Sequence, residues 1–223
     1  MLKNKNIGAI PLVQSLRGYH ARYQSDIHRL VDLVHTSSPG LFLRELASRP
    51  EAVGAVLPSS RQLARQMAAQ VPLEGDGLVV ELGAGTGSVT QALLDRGINP
   101  QRLWVVERSA AFVQHLRHRF PMLTVVGGDA AELDLLLPAN RRVDTIVSSL
   151  PLRSLPIDTV AAILGKCRQC LMADSQLVQF TYALWSHDAA LFQGFTEADS
   201  HYAWANLPPA RVRVFRRDSS AAH

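Results

Sequence analysis

Apolar and polar positions along the chain follow two periods that alternate. Leu78, Val79 and Val80 form a short, mostly β-branched apolar run, the pattern of a buried strand. Gly83, Gly85 and Gly87 come next at every second position, and then Val89, Ala92 and Leu93 fall at helical spacing up to Gly97. The beat repeats. Leu103–Val106 reads as a second strand ending in Glu107, and Ser109 starts a helix carrying Phe112, Val113, Leu116 and Phe120. Leu123–Val126 is a third strand that runs into Gly127-Gly128-Asp129-Ala130. Val143–Val147 is a fourth, running into Ser148-Ser149-Leu150-Pro151. A helix over Pro156–Cys170 and a strand over Gln176–Tyr182 follow. Tyr202–Asn206 and Arg211–Phe215 flank Leu207-Pro208-Pro209-Ala210 and read as a hairpin closing the sheet edge. Strands alternating with helices predict an α/β, doubly wound, mostly parallel sheet, here with an antiparallel C-terminal hairpin.

Upstream the pattern is helical. Ile27, Leu30, Val31 and Val34 are spaced i, i+3, i+4, i+7, predicting an amphipathic helix over roughly 25–35. Ser37-Ser38-Pro39-Gly40 stops it, and Leu41, Phe42, Leu43 and Leu46 begin another, with Arg44 and Arg49 between them. Ser59 with Gln62 fits a capping box for a helix through Leu63, Ala64, Met67 and Ala68 to about Val71. Residues 1–25 are polar and basic, with Tyr19 and Tyr23 four apart. The expected organisation is an N-terminal basic, amphipathic helical extension over 1–72, a catalytic domain over 73–217 and a tail over 218–223.

Charge sharpens this division. Residues 1–72 hold nine Lys/Arg and four Asp/Glu, while the remainder holds 14 basic and 15 acidic residues. The net charge of +4 therefore resides in the N-terminal third, which points to an anionic partner, a membrane surface or nucleic acid. No apolar run approaches the ~18 residues of a membrane span, and no signal-peptide core follows the basic start. A cytoplasmic chain is expected. Cys167 and Cys170 are a lone C-x-x-C pair and the eight histidines are scattered, so no metal site is expected.

The glycine turn carries the chemistry. It reads G-x-G-x-G, preceded two residues earlier by Glu81, and so differs from the G-x-G-x-x-G of dinucleotide folds. This pattern resembles the S-adenosylmethionine-dependent methyltransferases of class I, which have a Rossmann-like sheet. The resemblance implies that Glu81 approaches the methionine ammonium, with Gly83, Ala84, Gly85 and Gly87 against the cofactor. Ligands of open α/β sheets bind beyond the carboxyl ends of the strands. There Glu107, with Arg108 beside it, suits the ribose hydroxyls, and Asp129, with Ala130, suits the adenine amine.

The fourth strand end selects the acceptor. Enzymes that methylate nucleic-acid amines carry an Asn/Asp-Pro-Pro-aromatic turn or an Asn-Leu-Pro-Tyr variant. Here Ser148-Ser149-Leu150-Pro151-Leu152 keeps Leu-Pro but lacks the amide and the aromatic. Together with Phe42-Leu43, Gly54-Ala55-Val56-Leu57-Pro58-Ser59-Ser60 and Gln179-Phe180-Thr181-Tyr182, this turn resembles the soluble bacterial phosphatidylethanolamine N-methyltransferases. These are relatives of the rRNA adenine dimethyltransferases. The resemblance covers about residues 40–217. It implies methyl transfer from S-adenosylmethionine to a phospholipid amine, with S-adenosylhomocysteine as product, at the inner face of the cytoplasmic membrane. It places cofactor contacts also at Ser148, catalytic contacts at Ser148, Leu150 and Tyr182, and substrate contacts at Ser59, Ser60, Arg61, Pro151 and Leu152. Tyr19 and Tyr23 join the substrate set, and Phe180 and Trp185 the possible aromatic wall, because aromatic rings suit a methylated ammonium. Arg44 or Arg61 could hold the lipid phosphate. The expected partner is a phosphatidylethanolamine-containing or anionic membrane surface, not nucleic acid. The alternatives are an rRNA adenine dimethyltransferase-like enzyme and a cofactor-binding module without catalysis.

Overall fold

The computed structural model describes residues 58–182, 189–204, 206 and 209–218. The helix expected over 25–35, Arg44, Tyr19, Tyr23 and Trp185 lie outside the described residues. The first described element is helix α1 (Pro58–Ala69). The alternation then runs β1 (Leu78–Leu82), α2 (Ser88–Asp95), β2 (Leu103–Glu107), α3 (Ala110–Arg119), β3 (Thr124–Gly127) and the single turn α4 (Leu133–Leu136). It continues through β4 (Val143–Ser148), α5 (Ile157–Cys170) and β5 (Leu171–Thr181), and closes with β6 (Phe195–Ala203) and β7 (Ala210–Arg217).

The strands form one sheet in the order β3-β2-β1-β4-β5-β7-β6. The first five are mutually parallel, and β7 runs antiparallel to both β5 and β6. All five residues of β1 are buried, as a central parallel strand covered on both faces requires. Alternate residues feed two layers. Val79, Val105, Val147, Val178 and Val212 pack with Leu63 and Met67 of α1, Leu93 of α2 and Leu116 of α3. Val80, Leu82, Ile146, Leu177 and Phe215 pack with Val160, Ile163 and Leu164 of α5. The predicted fold class stands.

The hairpin is shifted from its expected place. Its first strand is Phe195–Ala203 and not Tyr202–Asn206. The segment Thr196-Glu197-Ala198-Asp199-Ser200 is polar because β6 is the sheet edge and half faces solvent. An edge strand of that kind is protected by charge and carries no apolar signal. β5 is also longer than expected. It starts at Leu171, directly after α5, and its register on β4 slips between Val143 and Thr145.

At the opposite end of the sheet, buried Arg102 ties the 72–77 connection to the strands. Its Nε donates to the Gly77 carbonyl at 2.8 Å and its Nη1 to the Leu73 carbonyl at 2.8 Å. Its Nη2 lies 3.1 Å from Asp144 Oδ2. Without Arg102 the Gly77 and Leu73 carbonyls lose their charged donors, and Asp144 keeps only Arg142 as a cationic partner, whose Nε lies at 2.8 Å. Arg102→Ala is therefore expected to cost about 3 kcal/mol, read as a lowered urea midpoint with unchanged slope.

Candidate active site

Three glycines with positive φ turn the chain from β1 into α2, at +71° for Gly83, +54° for Gly85 and +83° for Gly87. Each serves a different neighbour. A Cβ on Gly83 would stand 2.5 Å from Leu150 Cδ2, and one on Gly87 would stand 2.5 Å from Phe120 Cε2. A Cβ on Gly85 would meet nothing within 4 Å. The turn is thus packed on both flanks and open at its centre.

Glu107 borders that opening, and two further acidic side chains stand at neighbouring strand ends. Glu107, at the end of β2, accepts the Gly85 N–H on Oε2 at 2.9 Å and the Ser109 N–H on Oε1 at 2.8 Å. Each oxygen keeps a further lone pair for an outside donor. Glu81 is fully buried. Its Oε2 accepts the Thr90 hydroxyl at 2.6 Å, and its Oε1 has no partner among the described residues. Burial pushes its pKa up to about 7, opposed by the Thr90 hydrogen bonds and assisted by the Glu107 charge. Asp129, two residues beyond β3, accepts the Ala131 N–H on Oδ1 at 2.9 Å. Its Oδ2 lies 3.5 Å from exposed Arg108. The register sets Leu82 against Val106 and Glu107 against Gly127. The fold therefore brings Glu81, Glu107 and Asp129 to one edge, with Ala84 and Ala130 buried beside them.

The turn after β4 closes the other flank. Ser149 N–H donates to the Leu82 carbonyl at 2.9 Å, and the Leu150 side chain lies over Gly83. The hydroxyls of Ser148 and Ser149 are buried without a partner among the described residues. Pro151 is half-buried, while Leu152 sits in the α5-side core and so packs the turn down.

Sequence reasoning missed Gln179. It stands beside Ser148 in the sheet register. Its Nε2 donates to the carbonyls of Leu150 at 3.0 Å and Phe180 at 2.9 Å, and its Oε1 is buried without a partner among the described residues. A glutamine inside the apolar run Leu177-Val178-Gln179-Phe180 was the available signal. Tyr182 belongs to the other face. It packs against the α1-side core, edge-on to Phe180 at 5.3 Å. Burial raises its pKa, opposed by a hydrogen bond from Asn206. Ser59 and Ser60 fall in the first turn of α1 with exposed Arg61 next to them. Among the described residues no group of three His, Cys, Asp or Glu could hold a metal ion. Cys167 is buried, and its thiol is pushed up by burial.

Comparison with known proteins agrees with this architecture. The family profile described as a methyltransferase domain matches residues 79–174. An ornithine lipid N-methyltransferase of Singulisphaera acidiphila is 33% identical over 175 residues, 76% of this chain and 91% of that protein. The chain belongs to the S-adenosylmethionine-dependent methyltransferases. A shorter likeness, 38% over 78 residues, links 34% of the chain to 27% of the ribosomal RNA small subunit methyltransferase A of Phenylobacterium zucineum. Among solved structures, the N-methyltransferase NodS of Bradyrhizobium japonicum, in complex with S-adenosylhomocysteine, has a TM-score of 0.59 at 14% identity. It covers 73% of this chain and 89% of that one. The methyltransferase is thus of class I, and S-adenosylmethionine is its cofactor. The residues present fit that group. There is room over Gly85 for a ligand, an unpartnered buried carboxylate oxygen for a cation, and spare lone pairs on Glu107 for a diol.

Proposed function

We propose that this methyltransferase methylates the primary amine of a membrane lipid head group. The observation that carries the reading is the turn after β4. Ser148-Ser149-Leu150-Pro151-Leu152 offers hydroxyl and carbonyl acceptors but neither the amide nor the aromatic that grips a nucleobase. The Singulisphaera relative, whose name specifies ornithine lipid, supports it. Phosphatidylethanolamine is the second acceptor considered, because the same turn resembles the enzymes that methylate it. Both lipids present a primary amine close to an anionic group.

In this reading Glu81 holds the methionine ammonium, Glu107 the ribose hydroxyls and Asp129 the adenine amine, with Ala84, Ala130 and the backbone at Gly83–Gly87 against the nucleoside. Arg108 steadies Asp129. Bound there, S-adenosylmethionine supplies an electrophilic sulfonium methyl. The residues of the chain position the amine and exclude water. The attacking nitrogen must be unprotonated, and the Ser148 hydroxyl and Leu150 carbonyl accept its N–H bonds and aim its lone pair. No strong base is required. Tyr182, kept as a neutral phenol by burial, packs with the α1 layer and braces Phe180 instead of facing the amine. Pro151 and the start of α1 around Ser59–Arg61 border the acceptor. The basic 1–72 segment seats the enzyme peripherally on the inner membrane face. No helix among the described residues is long and apolar enough to cross a membrane.

Gln179 fixes the acceptor turn by holding the Leu150 carbonyl. Gln179→Leu removes both hydrogen bonds of Nε2, of which the one to the Leu150 carbonyl is worth about 1–1.5 kcal/mol to the turn. It is expected to lower kcat/KM for the acceptor about tenfold with unchanged cofactor affinity, measured by steady-state kinetics and calorimetry.

The deciding experiment supplies labelled S-adenosylmethionine with three acceptors. These are phosphatidylethanolamine vesicles, ornithine-lipid vesicles in a phosphatidylcholine carrier, and total rRNA. Label in either lipid extract supports the proposal and names the head group. Label in RNA alone overturns it.

A further inference from the structure

Arg211 and Arg213 both stand on the acceptor side of the sheet, and Arg211 is the one nearer its carboxyl edge. Arg211 is the second residue of β7, placed between Thr181 of β5 and Tyr202 of β6 by the sheet register. The preceding row on the same face runs Ser148, Gln179, Arg213 and Ser200 across β4, β5, β7 and β6. Arg211 therefore lies nearer the carboxyl edge of the sheet than the row that ends in the acceptor turn.

Its guanidinium is held firmly yet only partly used. Nη2 donates to Glu197 Oε1 at 2.5 Å and to Ser200 Oγ at 3.1 Å. Nε is buried and has no acceptor among the described residues. Glu197 is itself fixed, because its Oε2 accepts from Nε and Nη2 of Arg213 at 3.1 and 2.7 Å. Arg213 in turn lies over the rings of Phe192 and Phe215 at 5.0 and 4.6 Å. The Arg211 guanidinium also rests 5.7 Å from the centroid of the Tyr202 ring. A charged donor group that is braced on one side and unspent on the other is built to receive an anion, and the planar guanidinium suits carboxylate and phosphate oxygens.

We propose that Arg211 binds the anionic group of the acceptor, the phosphodiester or carboxylate that accompanies its amine. This rests on the lipid reading above. β4 and β7 are two strand spacings apart, about 10 Å between backbones. An amine at the Leu150 turn and an anion at Arg211 thus fall within one head group, the long arginine side chain covering part of the gap. The rim suits a lipid. Tyr202 stacks on Trp204 with ring centroids 5.1 Å apart, and Trp204 is 59% exposed. Such amphipathic aromatics favour the head-group level of a bilayer. Arg211 is a binding residue, and Glu197 and Arg213 are positioning residues that hold its geometry.

The test uses soluble head groups and the full chain saturated with S-adenosylhomocysteine. Calorimetry compares glycerophosphoethanolamine, Nα-acetylornithine and ethanolamine on wild type, Arg211→Lys and Arg211→Gln, with cofactor affinity as the check that each variant is folded. Wild type is expected to bind the first or second probe more tightly than ethanolamine, and the one it prefers tells phosphodiester from carboxylate. Arg211→Gln is expected to lose at least tenfold on that probe, with Arg211→Lys intermediate. On vesicles the same change raises KM while kcat stays within about threefold. Equal affinity of wild type and Arg211→Gln for the anion-bearing probes overturns the proposal, as does failure of wild type to bind either. If vesicles are methylated while Arg211→Gln binds like wild type, the anchor falls and the lipid reading stands. If vesicles are not methylated but the variant loses the probe, the anchor stands and the lipid reading falls.

Discussion

Gly85→Ala is expected to abolish cofactor binding while leaving the fold in place. At a φ of +54° an alanine is strained, which costs about 1 kcal/mol. The added methyl touches nothing within 4 Å, so no overpacking penalty is added. The open space above Gly85 is bordered by Glu107, which already holds the Gly85 N–H. A methyl group there occupies room assigned to the nucleoside. We expect cofactor affinity to fall at least 100-fold, with the urea midpoint lowered only slightly. Gly87→Ala inverts the outcome. Its Cβ would stand 2.5 Å from Phe120 Cε2 and 2.9 Å from Leu116 Cδ2, two buried side chains. Overpacking and strain together are expected to cost about 2–4 kcal/mol. Denaturant titration and calorimetry on both variants separate the two roles. Unchanged affinity in Gly85→Ala would mean that the glycine turn is not the cofactor cradle.

The sheet was legible because its inner parallel strands β1, β2 and β4 are buried on both faces and therefore appear as apolar runs with sharp ends. Those ends matter more than the runs, since each delivers one polar side chain to the same edge. Glu81, Glu107 and Asp129 were readable for that reason. Other features depend on register, which a single sequence does not display. The partnership of Gln179 with the Leu150 carbonyl needs β5 aligned on β4 with a slip between Val143 and Thr145. The assignment of Arg211 and Arg213 to Glu197 needs β6, whose polar edge residues gave no strand signal and led the hairpin to be expected later in the chain. The period-two pattern of β5 separates Gln179 from Tyr182. It cannot say which face looks toward the acceptor turn. The structure gives that face to Gln179 and packs Tyr182 with the α1 layer.

Glu81→Gln is expected to stabilise the cofactor-free protein at pH 8 and to remove its grip on the cofactor. Burial raises the Glu81 pKa from 4.5 to about 7. Between those values the folded chain keeps a proton that the unfolded chain has released. The contribution of this group to stability is therefore fully present below pH 4.5 and is lost as pH rises toward 7, by about 3 kcal/mol in total. Glutamine cannot ionise and can still accept the Thr90 hydroxyl. The stability of the variant should be flat across this window for this group, and the advantage over wild type should be largest above pH 7. The binding of a cation reverses the preference of the site. An ammonium placed against the unpartnered Oε1 favours the carboxylate, so cofactor binding below pH 7 must expel a proton, and affinity must rise with pH until the carboxyl is ionised. Calorimetry at pH 6.5 in two buffers of different ionisation enthalpy reads that proton directly. We expect net release in wild type, none in Glu81→Gln, and at least 100-fold weaker binding in the variant. If the variant binds as tightly as wild type and neither protein releases a proton, Glu81 does not face the cofactor ammonium, and its burial serves the β1–α2 packing alone.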